Sequence, residues 1–281
     1  ARWLTSTENP IVARVLVNRF WQHHFGEGLV ATVDNLGVSG AKPTHPELLD
    51  YLAAEFVLSG WKLKSLHRLI VTSATYRQSG ARRETAYAAD PENKLLWRFP
   101  LQRLDAESIR DSILFTSGEL NMELGGPYVP IKANSDSQIV VDEGNAGARR
   151  RSLYLQQRRT QPLTMLDVFD AARMNPNCSR RNPSTVSLQS LALLNSDFIR
   201  DRSRALAHRL EKDCGSDQNQ RLERTFLLAL GRKPNATERS ATEEFLQSQL
   251  AHYADKPDQA ERAWTDLCQM VLAGNAFLYV E

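Results

Sequence analysis

The chain has 281 residues, 42% of them apolar and 24% charged, with 14 Gly and 12 Pro. That balance describes a globular chain able to bury one large core or two smaller ones, and it excludes a disordered tail, a collagen-like fibre and a disulfide scaffold. The formal charge of +2 argues against a nucleic-acid or membrane-surface protein, but the total hides where the cations lie. Of 35 cations 27 are Arg, and residues 149–204 hold 11 Arg, no Lys and 4 Asp, a net of +7. Arg is the side chain that grips carboxylate, sulfate or phosphate with two bonds at once.

Asn9-Pro10 has the form of a helix start, and Ile11, Val12, Val15, Leu16 and Phe20 recur at helical spacing, which predicts a helix over 10–25. Residues 27–43 carry Gly28, Gly37, Gly40 and Pro43 and read as a looping segment. Thr44-His45-Pro46-Glu47 has the form of a capping box, opening a helix with an apolar stripe of Leu48, Leu49, Leu52, Ala53, Phe56 and Val57 and a stop at Gly60. A third helix is expected over 64–77, and the three share one core. A polar stretch, 78–90, precedes a short helical turn from Asp90-Pro91 through Trp97, and Asp105 starts a helix that runs to Ser117 before Gly118.

From Gly125 to Arg151 the residues have no clear period and read as a long irregular excursion. Ser152–Gln156 is the clearest strand candidate. Helical patterning returns over 162–172, over 187–211 with a break near Asn195, over 221–230, over 235–253 behind a second capping box at Asn235–Glu238, and over 257–273. The fold class expected is mainly α: a multi-helix domain with a few short strands and a long irregular Arg-rich middle. Residues 1–120 form its N-terminal helical part, 121–186 the irregular segment and 187–281 the C-terminal helical part, as one composite domain. The start Ala1-Arg2-Trp3 reads as a piece of a longer protein.

Nucleophile and cofactor motifs are absent: there is no G-x-S-x-G, P-loop or G-x-G-x-x-G. Cys178, Cys214 and Cys268 are far apart, so they offer neither a thiolate zinc site nor a c-type haem attachment. No apolar run reaches the roughly 18 residues of a spanning helix. His23, His24, His45 and His67 could converge with Asp50, but their spacing does not require a metal, and none is expected. The pairs Glu47/Asp50 and Glu107/Asp111 each share a helix face and are candidates for an acid and a base, with His23 or His45 assisting. Glu47 is better explained as a cap. Asp50 is not, and if buried it needs Arg14 or Arg19 as counter-ion.

The Arg pairs are the strongest functional signal. Arg149-Arg150-Arg151 and Arg158-Arg159 bracket the expected strand, which puts Arg151, Leu153 and Leu155 on one face and Ser152, Tyr154, Gln156 and Arg158 on the other. Tyr154, Arg151, Arg158 and Arg159, with Arg180 or Arg181 nearby, would then line an anion-binding surface, to which Arg19 and Arg103 are added as ligand-binding candidates. A nucleic acid is not expected, because no recognition motif accompanies the basic stretch. Asn177-Cys178-Ser179 matches a glycosylation sequon.

Several blocks carry a resemblance. Asn18-Arg19-Phe20-Trp21-Gln22-His23-His24-Phe25-Gly26-Glu27-Gly28-Leu29-Val30, Pro43-Thr44-His45-Pro46-Glu47-Leu48-Leu49-Asp50, Tyr76-Arg77-Gln78-Ser79, Arg150-Arg151-Ser152-Leu153-Tyr154-Leu155, Leu188-Gln189-Ser190-Leu191 and Leu230-Gly231-Arg232-Lys233-Pro234 resemble blocks of domain-of-unknown-function family 1553. The resemblance covers nearly the whole chain. It implies the C-terminal region of large planctomycete-type, extracytoplasmic (periplasmic or cell-surface) proteins, often with a cytochrome c-like domain and linked to degradation of complex, often sulfated, polysaccharides. Any haem would lie in a neighbouring domain, and this chain itself would carry no cofactor. The expected partners are upstream domains of the same polypeptide and an anionic polysaccharide, with no nucleic acid and no membrane insertion. Three functions fit: an accessory module binding sulfated or uronic polysaccharide or a partner domain, a carbohydrate-active enzyme using the carboxylates, or an interdomain packing module.

Overall fold

The computed structural model describes residues 2–6, 8–172, 181 and 183–280. It is mainly α-helical: among the described residues 12 α-helices accompany two small two-stranded sheets. The chain divides into two compact units, Ala1–Gln102 and Arg103–Val280.

In the first unit, α1 (Pro10–Phe25) starts as expected, with the Asn9 side chain accepting from the Ile11 and Val12 N–H groups. It stops at Gly26, whose φ of 80° is the left-handed C-cap conformation. Asn18, fully buried on α1, pins the following loop by exchanging hydrogen bonds with the backbone of Val30 (2.8 and 2.9 Å). That clip explains Gly28, since a Cβ there would lie 2.7 Å from the Val30 carbonyl and 2.8 Å from the Asn18 amide.

The second helix, α2 (Pro46–Leu58), forms without the expected capping box: His45 holds the N-cap position and its side chain makes no cap bond. The Thr44 backbone N–H and hydroxyl both donate to the Leu29 carbonyl, which ties Thr44 to the preceding loop. α3 (Leu63–Val71) is shorter than expected, and the hydroxyl of its C-cap Thr72 donates to Arg68 O. The core holds Leu49, Leu52 and Phe56 of α2 and Leu66 and Ile70 of α3, as the helical spacing predicts. On α1 it holds Ala13, Val17, Trp21 and Phe25, a face offset from the expected Ile11, Val12, Val15, Leu16 and Phe20, of which Ile11 is exposed.

Residues 84–97 reverse the expectation. The helix is α4 (Glu84–Ala89), inside the stretch read as polar loop, and the segment after Asp90 is not helical. There the Asp90 carboxylate accepts the N–H groups of Lys94 and Leu95, and Asn93 and Leu96 take φ values of 55° and 53°. A short acidic side chain bonding backbone ahead of it competes with helix in this way.

β1 (Gln102–Arg103) falls at the boundary, and the first helix of the second unit is α5 (Ala106–Ser117), closed by left-handed Gly118 as expected. The segment read as an irregular excursion contains an antiparallel hairpin, β2 (Ile131–Ala133) with β3 (Ile139–Val141), paired Ile131 to Val141. Its turn is held by the Asn134 side chain, which accepts from the Asp136 and Gln138 N–H groups. The expected strand at 152–156 is a 3-10 turn, Ser152–Tyr154, followed by an isolated parallel bridge from Leu155 to Val129. Asp111 causes the difference. Its Oδ1 takes both the Ser152 N–H and hydroxyl at 2.7 Å, which removes that N–H from any ladder.

Helix α6 (Thr164–Val168) is short, ending ahead of Asp170 at φ 61°. α7 (Ser187–Asn195) and α8 (Asp197–Cys214) break at Ser196, next to the expected Asn195. α9 (Gln218–Leu230), α10 (Ala236–His252) with its Asn235–Glu238 capping box, α11 (Gln259–Ala273) and the single turn α12 (Asn275–Leu278) follow, and β4 (Tyr279–Val280) pairs with β1. α8 lies along α11, with α5 and α9 on α8 and α10 on α11. Ile109 and Ile113, Leu206 and Leu210, Leu246, Leu267 and Leu272 fill the core between them.

Candidate anion-binding surface

The Arg-rich middle first builds itself. On α5 the residues Ala106, Ile109 and Ile113 face the core, and Arg110 shares that face, 1% exposed. Its guanidinium donates to the carbonyls of Ala148 (2.7 Å) and Arg150 (3.0 Å) and to the Ser152 hydroxyl. Burial pulls its pKa down to about 10, opposed by Asp111 and Glu143 and assisted by Arg202, so it remains a cation at neutral pH. Arg150, also buried, donates to the carbonyls of Glu123, Gly125 and Pro127, and its guanidinium lies 3.9 Å over the Tyr154 ring. The Tyr154 hydroxyl in turn accepts the Gly125 N–H. Arg202 of α8, 5% exposed, lies 2.7 Å from Glu119, which also accepts from Arg149 at 2.9 Å; Glu143 is near both cations.

What this framework leaves outward is mixed in character. Arg151 is about half exposed and donates to Asp111 at 3.2 Å. Arg158 is exposed and donates to the Gln161 side chain. In the same part of the chain Met122, Leu124, Tyr128 and Leu153 are all at least 60% exposed. Tyr128 precedes bridged Val129, whose N–H donates to the carbonyl of Tyr154, the residue after Leu153. The alternation expected of a strand does not hold. Leu153 is exposed while Leu155, expected on the same face, is buried.

The other candidate residues fall elsewhere. Arg103 is buried, bonded to Asp170 Oδ2 (2.8 Å) and to the carbonyls of Phe169 and Ser184, so it is not on the surface assigned to it. Asp170 also accepts the Ser184 N–H and hydroxyl; burial raises its pKa, but Ser184 and Arg103 outweigh it and the net shift is down. Arg181 forms a two-pronged pair with Glu107 (2.5 and 3.1 Å). Burial again pushes the Glu107 carboxyl up, and Arg181 brings it below its ordinary value. Arg159 is exposed. Glu107 and Asp111 therefore both have their oxygens engaged by Arg and Ser partners one turn apart on α5. Arg180, Cys178 and the Asn177 sequon lie outside the described residues.

In the first unit Asp50 is exposed rather than buried, and Arg14, not Arg19, is its partner at 2.7 Å. That hydrogen bond lowers the Asp50 pKa, against a small opposing effect of burial. Arg19 pairs with Asp34. His23 is exposed and His45 Nδ1 lies 3.0 Å from the Thr44 hydroxyl. A contact not expected from sequence joins His24 Nε2 and His67 Nδ1 at 2.8 Å, with burial and the neighbouring His67 and His23 charges lowering the His24 pKa. Among the described residues no three His, Cys, Asp or Glu side chains are grouped to hold a metal ion. Cys214 and Cys268 are free thiols, and burial pushes Cys268 far above the usual thiol range. No helix among the described residues is long and apolar enough to cross a membrane.

Arg110, Glu119 and Asp170 were not singled out from sequence. Arg110 had a readable signal in its helical spacing between Ile109 and Ile113. Glu119 and Asp170 had none, because their arginine partners Arg149 and Arg103 are 30 and 67 residues away.

The fold and site define a mainly α-helical domain whose arginines are largely built into its framework. The model of the family PSD1, described as a protein of unknown function (DUF1553), matches residues 1–246, and the chain belongs to that family. No curated protein and no solved structure matches the chain.

Proposed function

We propose that the chain is a non-catalytic binding module that takes an anionic polysaccharide, sulfated or uronic, on the surface carrying Arg151, Arg158, Tyr128 and Leu153. One observation carries this reading. Buried Arg110 and Arg150 tie residues 123–152 by donating to backbone carbonyls, and the segment so held leaves both large apolar side chains and the Arg151 and Arg158 guanidinium groups exposed. Exposed aromatic and apolar area beside Arg suits a ligand with a ring face and an acidic substituent. On this reading the module works outside the cytoplasm, beside other domains of its polypeptide, and any haem belongs to those neighbours.

Binding to heparin and to polygalacturonate, followed at 50 and 300 mM NaCl, tests it. The expected result is saturable binding that weakens with salt and is lost when Arg151, Arg158 and Arg159 are all changed to Gln. Arg151→Lys, which keeps a cation beside Asp111, should retain most of the affinity and checks that the fold survives. Binding that ignores salt, or that the triple variant retains, removes the proposal.

A further inference from the structure

The first unit carries a second concentration of cationic and aromatic groups, in residues 82–98. The Trp97 indole is held in place by its Nε1–H, which donates to the Asp90 carbonyl at 2.8 Å. Two guanidinium groups lie against that ring, Arg98 at 5.1 Å and Arg83 at 5.8 Å from its centroid. Arg83 also donates to the Trp97 carbonyl at 2.6 Å.

Neither cation has an acidic partner: among the described residues no carboxylate lies within ion-pair reach of Arg83 or Arg98. The carboxylates of the segment are committed to other groups. Glu84 pairs with Arg82 at 3.0 Å, Glu92 pairs with Lys94 at 2.5 Å, and the Asp90 carboxylate accepts the Lys94 and Leu95 N–H groups. Arg98 Nε is buried with no hydrogen-bond partner at all. Arg103 and Arg150 also have a buried, unpartnered Nε, but their terminal nitrogens donate to carbonyls, whereas the Arg98 side chain has no such acceptor, and a bound anion is one group that would supply it.

The surrounding backbone is set rather than loose. Asn93 clips both the N–H and the carbonyl of Arg98, the Gln78 amide donates to Leu96 O at 2.7 Å, and Phe99 N–H donates to Ser79 O. Two residues of this loop, Asn93 and Leu96, adopt positive φ. Strain of that kind persists where the surroundings over-determine it, as at ligand clamps.

We propose that Arg83, Arg98 and Trp97 form a binding site for an oxyanion group, a sulfate or phosphate ester or a carboxylate. Guanidinium forks supply paired donors to the oxygens, and the indole flank gives the cations an apolar support that holds them partly dehydrated. The site is built from residues of the first unit alone, so it stands or falls separately from the surface of Arg151 and Arg158.

The five tryptophan indole N–H resonances of the full chain in a 1H–15N spectrum report the site directly, with Trp97→Phe identifying its signal. Sodium sulfate, sodium phosphate and sodium glucuronate are titrated in turn, against sodium chloride at matched ionic strength. The expected result is a saturable shift of the Trp97 signal with at least one oxyanion and not with chloride, and the strongest responder identifies the source. Arg83→Gln and Arg98→Gln should each weaken that response at least tenfold, Arg98→Lys should weaken it less, and Arg82→Gln should leave it unchanged. If Arg98→Gln does not fold, Arg83→Gln, at an exposed side chain, decides alone. No saturable shift with any oxyanion, or a shift equal in chloride or in the Arg83 variant, overturns the proposal.

Discussion

Arg110 is the residue on which the second unit's irregular segment depends. Its three hydrogen bonds to Ala148 O, Arg150 O and Ser152 Oγ are made inside the core, where a lost donor leaves acceptors that water cannot reach. Arg110→Met keeps much of the volume and removes the donors, so it should cost about 3 kcal/mol of unfolding free energy, measured by urea denaturation. A loss below about 1 kcal/mol would show that the carbonyls find water or other donors. Asp111, beside it, was readable only as a candidate acid, since sequence spacing placed it on a face with Glu107. The structure spends it on Ser152 and Arg151. A carboxylate's role depends on which donors meet it, and those donors are 40 residues away in the chain.

At the scale of elements, helices whose signals are local came through and those that competed with tertiary contacts did not. Asn9 and Asn235 cap α1 and α10 as expected, because a side chain reaching N–H groups two or three residues ahead needs no partner from elsewhere. Asn235→Ala should therefore lower the midpoint of thermal unfolding by an amount equivalent to about 1 kcal/mol. Thr44 has the same sequence form and does not cap: it is tied to the Leu29 carbonyl through its N–H and hydroxyl, and His45 takes the N-cap position. The 152–156 strand fails for a related reason: alternating residues describe a strand only where a neighbouring strand offers a ladder, and here Val129 offers one bridge. The hairpin at 131–141 was missed because its strands are three residues each, too short for a period to show.

For the whole molecule the charge distribution has a consequence for acid stability. Glu107 and Asp170 both have folded pKa values below their ordinary 4.5 and 3.8, and both carboxylates are largely shielded from solvent. A carboxylate with a lowered folded value binds fewer protons folded than unfolded. Its contribution is complete above about pH 4.5 and is lost as pH falls through the folded value. Unfolding free energy measured from pH 6 to pH 3 should thus fall more steeply for the wild-type chain than for Glu107→Gln or Asp170→Asn, with the curves converging at the acid end. Parallel curves would show that the two pairs contribute nothing pH-dependent.

Sequence alone determined the helical class, the apolar stripe of α2, the break near Asn195, the family, and the concentration of Arg in the middle of the chain. Each of these rests on spacing or composition, which are properties of neighbours along the chain. Tertiary structure decided what the arginines do. Arg103, Arg110, Arg150 and Arg202 are buried against carbonyls and carboxylates of distant segments, while Arg151 and Arg158 are left outward. A guanidinium's burial and partners are set by long-range packing, which has no signature in the residues on either side of it. The excess of positive charge was thus legible from the start, but its division between framework and surface was not.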